Sequence, residues 1–71
     1  MHETFAITGD YIALCDLIKV CGITDTGGLA KQFIAQGNVK VDGQMELRKA
    51  CKIRAGQRVS GAGFVIEVVA P

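Results

Sequence analysis

The chain has 71 residues, nearly half of them apolar, and a formal net charge of only +1. A chain of this length has material for one small core, so we predict a single domain over residues 1–71. No stretch reaches the ~20 apolar residues of a membrane span, and the first ten residues lack the cationic start and apolar run of a signal peptide. These features predict a cytoplasmic protein with no membrane partner.

The charge is segregated along the chain. Residues 1–30 carry one basic side chain against four acidic ones, whereas residues 31–58 carry seven basic side chains against two acidic ones. Five of the eight basic residues fall between Arg48 and Arg58. This asymmetry indicates a polyanionic partner more strongly than the total charge does.

The first half of the chain predicts a strand and two helices. Residues 5–8 (FAIT) are β-prone, and a helical pattern then runs from an expected N-cap at Asp10 to a stop at Gly22. A second helix is predicted from a cap at either Asp25 or Thr26. Its apolar stripe consists of Ala30, Phe33 and Ile34, and it ends at Gly37. Two short helices joined by a few residues form an αα-hairpin.

The segment after residue 37 alternates with a period of two, which predicts strands. Val39 and Val41 face one way, and Asp42–Gly43 is a turn signal. A strict two-residue turn would place Met45 on the face of Lys40 instead of in the core. We therefore expect a three-residue connection or a bulge at this turn.

The last part of the chain predicts further strands. Cys51 and Ile53 alternate with Lys52 and Arg54, so the two cations share the face away from the core. Residues 64–69 (FVIEVV) predict a final strand and a candidate partner for the opening strand. Together the elements predict an α+β fold in which the αα-hairpin packs on a small, mainly antiparallel β-sheet.

Converging catalytic groups are scarce in this chain. It has one histidine, His2, and one serine, and its three cysteines form no C-x-x-C motif. We therefore predict a protein that is not an enzyme, with reduced thiols and without a metal or another cofactor.

Two features favour the binding of an anion. Gly27 and Gly28 open the second helix, where bare amides favour negative charge, and Lys31 follows one turn later. Close packing or loop flexibility is the alternative explanation for the two glycines. The second feature is a basic patch, for which an ordinary solvated face is the alternative. Its predicted members are Lys40, Arg48, Lys49, Lys52 and Arg54.

The order of these motifs resembles the RNA-binding domain named after small-subunit ribosomal protein S-four. The resemblance covers about residues 12–60, and the G-x-V-x-V-D-G segment at residues 37–43 is its most specific part. Where the family has Ser-Arg at the start of the second helix, this chain has Thr26, Gly27 and Gly28. With the segment ELRKACKI, this departure resembles the small stand-alone YbcJ-like branch, in which the cations after the turn form the compensating surface.

The resemblance implies the family's alpha-L motif and the binding of structured RNA, often ribosomal or transfer RNA. Because the chain has no tryptophan and Phe33 belongs to the core stripe, we expect a folded or duplex RNA. We also expect the protein to be a monomer. Two other functions stay open. An interaction adaptor would use an apolar patch around Phe64 and Val68, and a small redox or metal protein would depend on the three cysteines.

Overall fold

The computed structural model describes all 71 residues, which form two helices and seven short strands. The helices are α1 (Leu14–Val20) and α2 (Gly27–Ala35). The strands are β1 (His2–Ala6), β2 (Ile12–Ala13), β3 (Lys40–Val41), β4 (Gln44–Met45), β5 (Lys52–Ile53), β6 (Arg58–Gly61) and β7 (Phe64–Val69). Neither helix has the length and apolar character needed to cross a membrane.

Five strands form one sheet in the order β1-β7-β6-β3-β4, and β2 pairs with β5 in a separate two-stranded sheet. The pair of β1 and β7 is parallel, and the other pairs are antiparallel. The opening strand therefore does pair with the last one, although it occupies residues 2–6. The predicted α+β class and the mainly antiparallel sheet are confirmed.

One hydrophobic cluster joins the two helices to the inner face of the large sheet. None of the buried residues is polar or charged, so the core needs no internal hydrogen-bond partner for a side chain. Its thirteen members are Ile7, Leu14, Cys15, Leu17, Ile18, Ala30, Ile34, Val39, Ile53, Val59, Phe64, Ile66 and Val68.

The start of α1 differs from the prediction. The helix begins at Leu14, and Asp10 is not its N-cap. The intervening residues are extended, because Ile12 and Ala13 pair with the strand β5. Ala13, at the N-cap position, has no side-chain oxygen to accept a helix amide.

Main-chain carbonyls supply this missing cap. The amide of Leu14 donates to the carbonyl of Cys51, and the amide of Cys15 donates to the carbonyl of Lys49, both at 2.9 Å. These bonds satisfy two of the free amides that every helix has at its N-terminus. The segment 49–51 is thereby fixed to the start of α1.

The helix ends agree with the sequence pattern. Gly22 and Gly37 each follow the last helical turn and donate an amide back to it. Thr26, rather than Asp25, caps α2, and its hydroxyl accepts the amide of Leu29 at 3.1 Å. This bond resolves the alternative that the sequence left open.

The predicted three-residue connection or bulge between β3 and β4 is wrong. Val41 pairs with Gln44, and Lys40 pairs with Met45, across a two-residue turn. The turn residues Asp42–Gly43 have φ values of 51° and 85°, the left-handed values of a type I′ turn, whose twist fits a two-residue hairpin. The local turn geometry therefore decides the register, and Met45 is 62% exposed on the outer face with Lys40.

We predict that Leu17→Ala lowers the free energy of unfolding by ~2–5 kcal/mol, because Leu17 is fully buried and its loss leaves a cavity. Leu29→Ala is the matched control, since the same atoms are removed from a helical residue that is 48% exposed, and we expect a change within ~0.5 kcal/mol. Urea denaturation of both variants measures the difference. Equal losses would contradict the placement of Leu17 in the core.

Candidate nucleic-acid interface

The two-stranded sheet places an aromatic ring beside two cations. Ile12 lies opposite Ile53 in the antiparallel pair, so continuing the register by one residue puts Tyr11 opposite Arg54. Side chains alternate between the two faces of a strand. Ile53 accordingly points into the core and is fully buried, whereas Lys52 and Arg54 are exposed on the other face, as predicted. Arg54 directly follows β5, and we call Lys52 and Arg54 the β5 cations.

Both cations lie over the tyrosine ring. The Nζ atom of Lys52 is 5.1 Å from the ring centroid of Tyr11, and the Cζ atom of Arg54 is 5.7 Å from it. Both distances are within the range of a cation–π interaction. The guanidinium of Arg54 also donates to the carbonyl of Asp10 at 3.5 Å. We call Tyr11, Lys52 and Arg54 the Tyr11 patch.

Arg48 is the one predicted site cation with an acidic partner. Its Nε and Nη2 donate to the two carboxylate oxygens of Glu46 at 2.9 and 3.0 Å, and its backbone amide donates to the same carboxylate at 3.0 Å. The side-chain bonds from Arg48, followed by the backbone bond, lower the pKa of Glu46 to about 2. The pairing leaves the Nη1 group of the guanidinium free to donate elsewhere.

Arg48 and Lys52 line one groove of about 420 Å³ together with Ala50 and Cys51. This groove connects the paired arginine to one cation of the Tyr11 patch. Lys49, between them in the chain, is exposed. The structure therefore links Arg48 to Lys52 through this groove and Lys52 to Arg54 through the tyrosine ring.

Lys40 occupies a different place. It lies on the outer face of the five-stranded sheet, opposite Ser60, and it lines a groove with residues 37–38 and 60–62. No other predicted cation lines that groove. The expected single surface from Lys40 to Arg54 is thus divided between the two sheets.

The glycines at the start of α2 have open surroundings. A Cβ atom at Gly27 would meet no atom within 4 Å, and one at Gly28 would meet only the hydroxyl of Thr26 at 3.9 Å. Close packing therefore does not explain them. Lys31 is exposed one turn later, and none of these residues lines a groove with the cations of β5.

Most of the basic side chains have no acidic partner. Among the Lys and Arg residues, only Arg48 and Arg58 form a salt bridge within 4.0 Å, with Glu46 and Glu67 respectively. The other six are solvent-exposed and unpaired by any carboxylate. Unpaired surface cations are the groups that an approaching polyanion meets first.

The features expected of an interaction adaptor or of a small redox or metal protein differ from those in the structure. Phe64 and Val68 are 5% and 2% exposed, so the predicted adaptor patch around them is wrong. Burial raises the pKa of Cys21, and burial followed by the hydrogen bond to Glu46 raises the pKa of Cys51. A raised pKa lowers the fraction of the reactive thiolate.

Tyr11 is a candidate site residue that the sequence pattern does not identify. The sequence pattern placed Tyr11 at the start of a helix that begins at Asp10, and a helical Tyr11 would not pair with the segment of β5. The 47% exposure of Tyr11 and its two cations follow from a pairing between segments about forty residues apart. The alternation of Tyr11 with the apolar Ile12 is the only local signal.

The fold and the site define a small α+β domain in which an αα-hairpin packs on a mainly antiparallel sheet beside a strip of unpaired cations. The S4 domain family matches residues 5–69. The chain therefore belongs to the S4 domain family, which confirms the resemblance seen in the sequence.

Similar proteins come from two bacteria. YbcJ of Escherichia coli (strain K12) and YbcJ of Shigella flexneri are each 55% identical to this chain over 60 residues, which cover 84% of this chain and 86% of the relative. The solution structure of YbcJ from E. coli matches with a TM-score of 0.73 and 51% identity, over 94% of this chain and 86% of that one. That structure is described as revealing an alpha-L motif involved in RNA binding.

We predict that the carboxyl group of Glu46 titrates near 2 and that Arg48→Gln moves its pKa toward the ordinary value of about 4.3. Because folding lowers this pKa, the ion pair stabilises the folded state at pH values above the ordinary glutamate pKa. This contribution is lost as the pH falls toward 2. NMR of the carboxyl carbon measures the titration. Lys49→Gln is the control, since Lys49 forms no bond to Glu46. An unchanged pKa of Glu46 in Arg48→Gln would show that Arg48 does not lower it.

Proposed function

We propose that this protein binds structured RNA through the Tyr11 patch and the adjoining cations, without catalysing a reaction. The observation that carries the proposal is the pair of exposed cations, Lys52 and Arg54, held over one ring with no carboxylate partner. Their side chains lie on the solvent side of a strand whose other face is buried. A phosphate backbone therefore meets two neighbouring positive charges that no carboxylate neutralises.

Electrostatics gives such a surface its affinity for nucleic acid. Each phosphate that a cation neutralises releases a condensed counterion, so unpaired cations contribute most. Arg48 and Lys49 extend the surface along the chain, and the free Nη1 group of Arg48 is available to a phosphate although Glu46 holds the rest of the guanidinium. We propose Arg48, Lys49, Lys52 and Arg54 as the main contacts.

The remaining predicted residues are proposed as further contacts with the same RNA. Gly27 and Gly28 leave the first amides of α2 open to a phosphate, and Lys31 adds a charge one turn later. Lys40 would contact RNA from the outer face of the large sheet.

The relatives support RNA as the polyanion, since the structure of YbcJ from E. coli is described as showing a motif involved in RNA binding. The wider resemblance to the S-four domain favours ribosomal or transfer RNA as the specific target. We accordingly propose a monomeric protein that acts on RNA in the cytoplasm, in translation. The proposal requires no membrane, metal or cofactor.

Removing both β5 cations tests the proposed interface. We predict that Lys52→Gln with Arg54→Gln weakens RNA binding and lowers the slope of log affinity against log salt by up to ~2, since each phosphate contact adds ~0.7–0.9. All RNA sequences should be affected alike, because phosphates carry no sequence information. Fluorescence anisotropy of a labelled RNA hairpin over a series of salt concentrations gives both quantities.

The matched control removes the same amount of charge from elsewhere. Lys19 and Arg58 are the two basic residues outside the proposed set, so Lys19→Gln with Arg58→Gln should reduce the salt slope much less. Folding should change little in either double variant, because exposed charges contribute little to stability. If both doubles bind alike, the patch has no special role, and if the β5 double binds as the wild type does, the interface is wrong.

The start of α2 is tested at Gly28. We predict that Gly28→Glu weakens RNA binding more than Gly28→Gln does, because the two side chains have similar bulk and only the first repels phosphate. A glutamate in the first turn stabilises a helix, so loss of binding would not reflect unfolding. Equal affinities of both variants and the wild type in the same anisotropy assay would show that the glycines do not contact RNA.

A further inference from the structure

Tyr11 is the only exposed aromatic ring of the chain that is not a histidine. The chain has one tyrosine, three phenylalanines and no tryptophan. Phe64 is buried, and Phe5 and Phe33 are half-buried against the core. Tyr11 is 47% exposed, and its neighbour Ile12 takes the place toward the core. Apart from the imidazole of His2, Tyr11 is therefore the one exposed aromatic ring on which an RNA base could stack.

The position of this ring beside two cations is typical of a surface that binds unpaired nucleotides. Surfaces that bind unpaired nucleotides combine aromatic side chains, on which bases stack, with cations that follow the backbone. Tyr11 supplies the aromatic side chain. Lys52 and Arg54 supply the cations, at 5.1 and 5.7 Å from the ring centroid. In a duplex the bases are already stacked on one another, so a protein ring can reach only a base that is unpaired.

Resting on the proposed RNA-binding function, we infer that Tyr11 stacks on an unpaired base while Lys52 and Arg54 hold the phosphates on either side of that nucleotide. Without RNA, the ring attracts the two cations through its π-electrons. Phosphates offer these cations a full negative charge, so binding draws them from the ring and opens its face to the base. The RNA recognised is thus a folded RNA with a bulged, looped or terminal nucleotide at the point of contact.

Two RNA duplexes with the same base pairs test this inference, one fully paired and one with a single unpaired nucleotide inserted in one strand. The wild type should prefer the second duplex by a factor of about 5–150, the range typical of stacking one base on an aromatic side chain. Tyr11→Leu should lose this preference and bind the two duplexes with equal affinity. Tyr11→Phe, which preserves the ring, should keep the preference.

A spectroscopic measurement reports on the ring directly. Because Tyr11 is the only tyrosine, its ring protons are a unique pair of NMR signals in the wild-type protein. An RNA oligonucleotide should move them upfield through the ring current of the stacked base. An oligonucleotide of the same length in which the contacting nucleotide lacks its base should not.

The outcomes separate this inference from the function on which it depends. If the wild type binds both duplexes with equal affinity, or if Tyr11→Leu weakens binding to both by the same factor, Tyr11 only positions the cations, and the stacking is overturned while RNA binding stands. Equal shifts of the ring protons with the intact and the abasic oligonucleotide would overturn the stacking as well. Failure of the wild type to bind either duplex would overturn both the inference and the proposed function.

Discussion

The rest of the structure depends on the main-chain pairing between the residues before α1 and the segment that ends in β5. The carbonyls of Lys49 and Cys51 accept the first amides of α1, so the helix begins at Leu14 without a polar side chain to cap it. The same pairing sets Tyr11 opposite Arg54 by register. The hydrogen bonds between these two segments therefore satisfy the first amides of α1 and also place the residues of the Tyr11 patch next to one another. Stability and the proposed binding surface come from the same backbone contacts.

The acidic side chains explain how a nearly neutral protein presents a basic surface. Glu46 is held by Arg48, and Glu67 by Arg58, so these pairs cancel locally. The carboxylate of Asp42 accepts the backbone amide of Arg58 at 2.9 Å and fixes the turn after β3 to β6. None of the three carboxylates forms a salt bridge with the Tyr11 patch. Because salt at about 0.1 M screens exposed charges beyond about 10 Å, this local arrangement decides what a polyanion meets, and the total charge does not.

The sequence predicted the structural features that depend on neighbouring residues, and its predictions failed where contacts between distant segments determine the structure. The two helices and their glycine stops follow from local patterns, and so does the alternation that exposes the cations of β5. The cap of α2 was narrowed to Asp25 or Thr26 in the same way, and the structure decides for Thr26. The cap at Asp10 was wrong because the residues that follow it pair with β5, which no local pattern shows. Met45 was assigned to the core because its alternation suggested it, whereas the two-residue turn fixed the opposite face. Phe64 and Val68 alternate with Glu67, so the local pattern did mark their face as the buried one, and the predicted exposed patch around them was wrong.

The central claim is that RNA contacts this domain at the Tyr11 patch and the cations that adjoin it. Mapping the changes in backbone amide chemical shifts as a structured RNA is added to the ¹⁵N-labelled protein tests this claim most directly. The account predicts that the largest changes fall on residues 11–13 and 48–54 and that they disappear as salt is raised, because the contacts are chiefly ionic. Changes confined to α2 and the outer face of the large sheet, or no changes at all, would contradict it.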